Sequence, residues 1–220
     1  MGKNNLSLTD EYRRPRERMV DEQLVTRNIK DLKVLEAMRT VPRHLFVEDA
    51  FLVRAYQDSP LPIGHGQTIS QPYIVALMTE ALELGPQDRV LEIGLGCGYQ
   101  TAILAKLAGK VYAIERIAAL FEKGRANLMK IGMDNIVLKL GDGRLGWPQE
   151  APFDAILVAA YGISVPERLR EQLAPGGRLI MPVGDSQGQQ LILYRRDPRG
   201  MVTSQVLVGC RFVPLVEGTG

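Results

Sequence analysis

The sequence predicts an α/β fold, a mostly parallel seven-stranded sheet preceded by helices and closed by an antiparallel hairpin. Three observations predict it. Val90, Leu91 and Ile93 form a short apolar run that breaks off in Gly94, Gly96 and Gly98. A helix-like pattern from Thr101 to Leu107 follows, so residues 89–107 read as strand, glycine turn and helix. Beyond them strands and helices alternate until two final strands follow each other with no helix between.

Taken in order, residues 1–9 are expected to be a disordered tip. Met19, Val20, Leu24 and Val25 stand among charges over 9–28, the pattern of an amphipathic helix. Leu32, Leu35 and Met38 predict a second helix from about 31 that stops at Pro42, and a third short one fits 48–56. Residues 57–71 form a long connection whose apolar Leu61, Ile63 and Ile69 argue against disorder. Its length and glycines suggest a mobile lid. Pro72 opens a helix through 84, which Gly85 and Pro86 end. After the glycine turn the expected elements are strands at 111–114, 136–140, 155–160 and 177–183, with helices at 117–131 and 166–173. Strands at 190–195 and 204–213 make the terminal hairpin. The expectation is one domain, 1–71 being a helical extension with the active-site loop and 72–220 the nucleotide-binding core.

A chain of 220 residues buries a core large enough to need no disulfide or metal. The net charge of +2 makes no case for nucleic acid or a membrane surface, and no apolar run reaches the length of a membrane span. The polar start is not a signal peptide. Cys97 and Cys210 share no motif, which points to a reduced, cytosolic protein, taken here to be a monomer.

The glycine spacing selects the nucleotide. A dinucleotide fingerprint would put its third glycine where Tyr99 stands. Glu92 followed by Gly94, Gly96 and Gly98 is instead similar to the acidic Gly-x-Gly-x-Gly pattern of S-adenosylmethionine (SAM) methyltransferases with their Rossmann-like fold. Glu115, at the end of the second strand, is placed to accept from both ribose hydroxyls. Asp142, with Gly143 beside it, is placed to reach the adenine amino group, although a turn aspartate capping its own backbone would look the same. Glu92 fits a supporting group that holds the turn near the methionine part of the cofactor.

The likeness extends further. Residues 62–73 (Pro-Ile-Gly-His-Gly-Gln-Thr-Ile-Ser-Gln-Pro-Tyr), 90–94, 98–102, 141–143, 151–156 and 212–215 resemble the protein-L-isoaspartate O-methyltransferase family, over about 18–216. The resemblance implies methyl transfer from SAM to the free carboxylate of L-isoaspartyl and D-aspartyl residues in damaged proteins, followed by succinimide closure. It makes Ser70 the active-site residue, orienting that carboxylate, with helix capping as an alternative role for its hydroxyl. Gln67, Thr68 and Gln71 are candidates for the same cleft and its cofactor. The chemistry agrees: a carboxylate acceptor with a pKa of about 3.5–4 is already ionised at neutral pH and needs no general base. The histidines, His44 and His65, have no nameable partner, and no metal site is expected.

Two departures stand out. Leu95 and Cys97 occupy positions where the family carries small polar residues, and Tyr161 replaces a smaller residue after the fourth strand, where it would narrow the acceptor pocket. Other readings are a SAM methyltransferase for a small-molecule acceptor, and a SAM-binding protein without turnover.

Overall fold

A computed structural model describes residues 11–220, so the expected tip over 1–9 lies outside the described residues. Alternation along the central strands dictates how the sheet is buried. Val90, Val111, Ala113, Ala155 and Leu157 join one hydrophobic cluster, while Leu91, Ile93, Tyr112, Ile114, Ile156 and Val158 join a second on the opposite face. Near-continuous apolar strands of this kind suit a parallel sheet covered on both sides.

The N-terminal segment builds one cover. Helix α1 (Arg13–Met19) runs on through a π-helical turn, Val20–Leu24, and a 3-10 turn, Val25–Arg27, before Asn28 ends it with φ 66°. Helix α2 (Leu32–Thr40) starts at Asp31, whose carboxylate accepts from the Lys33 amide at 2.8 Å. The third helix expected over 48–56 is instead a 3-10 turn, Asp49–Arg54, preceded by another, Arg43–Phe46. Phe51 and Ala55 donate to carbonyls three residues back, which a piece this short sustains.

The connection over 57–71 differs from the expectation of a plain loop. Strands β1 (Leu61–Gly64) and β2 (Gln67–Ile69) pair antiparallel, turning through Gly64, His65 and Gly66, all at positive φ. Leu61, Ile63 and Ile69 are buried, so the same residues that argued against disorder anchor the hairpin.

Helix α3 (Pro72–Ala81) begins on its proline as expected. Then come β3 (Arg89–Ile93), α4 (Tyr99–Ala105), β4 (Lys110–Glu115), α5 (Ala118–Lys130) and β5 (Ile136–Leu140). Strand β6 (Phe153–Val158) starts and stops two residues earlier than expected. Helix α6 (Glu167–Glu171) is short because β7 (Leu173–Gly184) takes up the residues after it. Strands β8 (Gln189–Arg196) and β9 (Val202–Cys210) close the chain.

The main sheet has the expected seven strands, in the order β5-β4-β3-β6-β7-β8-β9. Strands β3 to β7 are parallel, and β8 runs antiparallel to both its neighbours. The order reverses between β3 and β6, which opens a crevice at their C-terminal ends. No helix among the described residues is long and apolar enough to cross a membrane.

Candidate active site

The glycine turn is built by its backbone. Gly94 and Leu95 both donate to the Ile114 carbonyl, at 2.8 and 3.1 Å, which ties the end of β3 to β4. Gly94, Gly96 and Gly98 hold φ of 96°, 54° and 91°, where a side chain is strained. A Cβ on Gly96 would lie 3.2 Å from Ile63 Cδ1, so the turn approaches the β1–β2 hairpin closely. Glu115 fastens the other side. Its Oε2 accepts from the Gly96 amide at 2.9 Å, and its Oε1 accepts from the amides of Arg116 and Ile117.

Glu92 is fully buried beneath the turn, where its Oε2 accepts from Thr101 Oγ1 of α4 at 2.5 Å and its Oε1 has no partner. Burial pushes this carboxyl up to about 8, the Thr101 hydrogen bond opposes the shift, and the nearby Glu115 adds to it. Leu95 and Cys97, the first of the two departures, are core residues. Leu95 lies against Gly124 of α5, Cys97 gives its carbonyl to Asn127 Nδ2 at 3.0 Å, and burial pushes its thiol up to about 11.

These elements enclose a cavity of about 370 Å³ at the crevice, within the range of small-ligand pockets. Gly94, Gly96, Cys97 and Glu115 line it from the sheet side, with Arg116, Ile117, Leu120 and Gly143 beyond. Gln67, Thr68, Ser70 and Gln71 line it from the hairpin side. The structure therefore brings together most residues the sequence singled out. Glu92, Gly98 and Asp142 are not among the lining residues. Asp142 caps the Gly143–Leu145 turn through the Arg144 amide at 2.8 Å and accepts from Gly218 at 2.8 Å.

Ser70 is not the cap of α3. The N-cap of that helix is Gln71, which makes no side-chain cap bond, and the first available amide, Tyr73, donates to Asp58 Oδ1 at 3.3 Å. Ser70 lines the cavity, and its side chain makes no hydrogen bond among the described residues. Gln71 donates from Nε2 to Asp58 Oδ2 at 2.7 Å, and Gln67 donates to the His65 carbonyl at 3.3 Å.

The segment after β9 was missed as part of the site. Residues 209–216 line the cavity because Tyr161 clamps them: its amide donates to Val213 and its carbonyl accepts from Leu215, both at 2.8 Å. Tyr161 itself is not a lining residue, so it acts through this backbone clamp rather than by narrowing the pocket. The resemblance over 212–215 was the only sequence signal. Beyond it the chain crosses the cofactor side. Arg116 Nε donates to the Gly218 carbonyl at 2.9 Å, Gly220 donates to the Arg116 carbonyl at 3.0 Å, and Ala118 donates to Gly220.

No histidine lines the cavity. His65 sits exposed at the hairpin turn. His44 is buried in the N-terminal segment, its Nδ1 2.7 Å from the Tyr56 hydroxyl, and burial with the Arg16 charge lowers it to about 4. Burial also raises the Tyr99 hydroxyl. No group of three or more His, Cys, Asp or Glu side chains that could hold a metal occurs among the described residues. The arrangement can bind a nucleoside and orient a second ligand. Among the described residues the one carboxylate on the cavity wall is Glu115, already engaged by three backbone amides.

Known proteins of one kind resemble this chain over nearly its whole length. A chain from Trichlorobacter lovleyi called protein-L-isoaspartate O-methyltransferase is 56% identical over 205 residues, 93% of this chain and 94% of that one. One of the same name from Methylorubrum extorquens is also 56% identical, over 93% of this chain and 90% of that one. A solved structure under that name superposes with a TM-score of 0.82 at 28% identity, covering 92% of this chain and 66% of that one. One from Plasmodium falciparum, described as a putative protein-L-isoaspartate O-methyltransferase in complex with S-adenosyl-L-homocysteine, gives 0.77 at 26% identity, over 91% and 98%. The family model described as protein-L-isoaspartate(D-aspartate) O-methyltransferase matches residues 14–220, and the chain belongs to that family.

Proposed function

We propose that this protein transfers the methyl group of SAM to the free carboxylate of L-isoaspartyl and D-aspartyl residues in damaged proteins, beginning their repair. The observation that carries the reading is the free Ser70 hydroxyl in the same cavity as the glycine turn and Glu115. SAM supplies an electrophilic methyl on its sulfonium. The residues fit such a ligand: a Cβ on Gly96 would press into Ile63, so only glycine leaves the turn open.

Each remaining role falls to this chain. Gly94 and Gly96 carry the backbone against the cofactor, while Gly98 closes the turn at the start of α4. Glu115 has one acceptor site left, on Oε2, for a ribose hydroxyl after its three amide bonds. Gly143 packs its backbone against Ile93 on the cavity wall proposed for the adenine, with Asp142 fixing the turn beside it. Glu92 stiffens the turn from below through Thr101. Gln67, Thr68 and Gln71 close the wall facing the glycines, where both cofactor and acceptor pass. Ser70 donates to the acceptor carboxylate and orients it. Proximity and alignment do the rest, since an ionised carboxylate needs no base. In this reading the chain works as one domain, a cytoplasmic monomer acting on proteins, with no part for nucleic acid or membrane. Its small net charge supports the last point.

The test is transfer of labelled methyl to two synthetic peptides that differ only in isoaspartate or aspartate at one position. Base-labile label is expected on the isoaspartyl peptide alone. Label on neither, with SAM binding intact, overturns the reading. Ser70→Ala is expected to lower kcat roughly 10- to 100-fold, the worth of one hydrogen bond to a charged group, with S-adenosylhomocysteine affinity unchanged.

A further inference from the structure

Helix α3 begins on Pro72, which has no N–H, so the Tyr73 amide is the first donor its N-terminus must satisfy. Ser70, with the active-site hydroxyl, stands one residue before the N-cap, Gln71, and is a local hydroxyl that could take the amide. It does not. Asp58 does so from the far side of the hairpin, with Oδ1 accepting from Tyr73 at 3.3 Å while Oδ2 accepts from Gln71 Nε2 at 2.7 Å.

Asp58 is held in turn from the N-terminal segment. Arg27 Nη1 lies 2.6 Å from Asp58 Oδ2, and its guanidinium carbon sits 3.4 Å over the Tyr73 ring. Arg27 therefore grips both the carboxylate and the residue whose amide that carboxylate accepts. The four side chains form one clamp around the two residues that follow Ser70 and the first turn of α3.

Resting on the methyl-transfer reading above, we propose that Asp58 is a positioning residue for that reaction. It takes over the capping of α3 and fixes Gln71. Ser70 is thereby left with an uncommitted hydroxyl on the cavity wall, available to the acceptor carboxylate. Without Asp58 the Tyr73 amide loses its acceptor, and Ser70, three residues back along the chain, carries a hydroxyl that can turn inward to supply one.

The experiment compares wild type, Asp58→Ala, Ser70→Ala and the double variant. It reads kcat and KM on the isoaspartyl peptide, S-adenosylhomocysteine affinity, and hydrogen exchange at the Tyr73 amide. Asp58→Ala is expected to lower kcat at least tenfold with cofactor affinity within twofold, and to speed exchange at Tyr73. Ser70→Ala is expected to cost little more in that background, because the hydroxyl has already left. Asp58→Asn, which keeps an acceptor for Tyr73, is expected to restore most of kcat. Multiplicative losses in the double variant, or unchanged kcat in Asp58→Ala, overturn the proposal. Should Asp58→Ala fail to fold, Arg27→Gln with and without Ser70→Ala makes the same comparison, and multiplicative losses there are equally fatal. A wild type that leaves the peptide unlabelled overturns the repair reading and this inference together. A wild type that labels it while the variants behave independently overturns the inference alone.

Discussion

At the scale of single residues, Glu92 shows how position and state separate. Its place before the glycines could be read from spacing, and its burial from the apolar run around it. Its protonation could not, because that depends on the sealed space between β3 and α4. The ordinary value is 4.5, and burial raises it to about 8. The folded protein thus keeps a proton that the unfolded chain gives up near 4.5, so the stabilisation is full below that pH and is lost as pH rises through 8. Glu92→Gln stays neutral throughout. Its thermal unfolding midpoint, relative to wild type, is expected to improve as pH is raised from about 5 to about 8.5. Midpoints that track wild type in parallel would contradict a buried, protonated Glu92. Ser70 was legible because its whole loop carries the resemblance. Asp58 was not, since its partners Tyr73 and Arg27 stand 15 and 31 residues away and no local pattern joins them.

At the scale of elements, the sequence was most informative where one period dominates. The apolar runs of β3, β4, β5 and β6 and the glycine turn were all readable, and the structure moves their ends by only a few residues. The β1–β2 hairpin was hidden because two short strands are interrupted by Pro62 and Gly64, which lower strand propensity without preventing an edge pair. Its anchor residues were noticed, but not their pairing. The turn after β3 yields a prediction at this scale. Gly98 sits at φ 91°, and a Cβ there would lie 3.1 Å from Leu128 Cγ and 3.2 Å from the Gly124 carbonyl. Gly98→Ala is therefore expected to destabilise by roughly 1–3 kcal/mol, the cost of a left-handed residue plus crowding against α5. Denaturant unfolding should show a lower midpoint with an unchanged slope.

At the scale of the whole molecule, a single hydrophobic cluster runs from Met19, Val20 and Leu24 of the N-terminal segment through Ile74 and Met78 of α3 to Leu191 and Leu193 of β8. Composition promised a core of this size, but not that the helical extension would share it. Such continuity predicts one cooperative unfolding transition, with far- and near-ultraviolet circular dichroism changing at the same denaturant concentration. Two separated transitions would mean that the extension is an independent unit. The same wholeness extends to the last residues. Because Gly218 and Gly220 are hydrogen-bonded to Asp142, Arg116 and Ala118, anything joined after Gly220 leaves the molecule beside the groups assigned here to the nucleoside. A purification handle or reporter joined there would be moored beside Arg116, next to the cavity proposed for the cofactor. The choice of fusion end is therefore a biochemical variable for this enzyme rather than a cloning convenience.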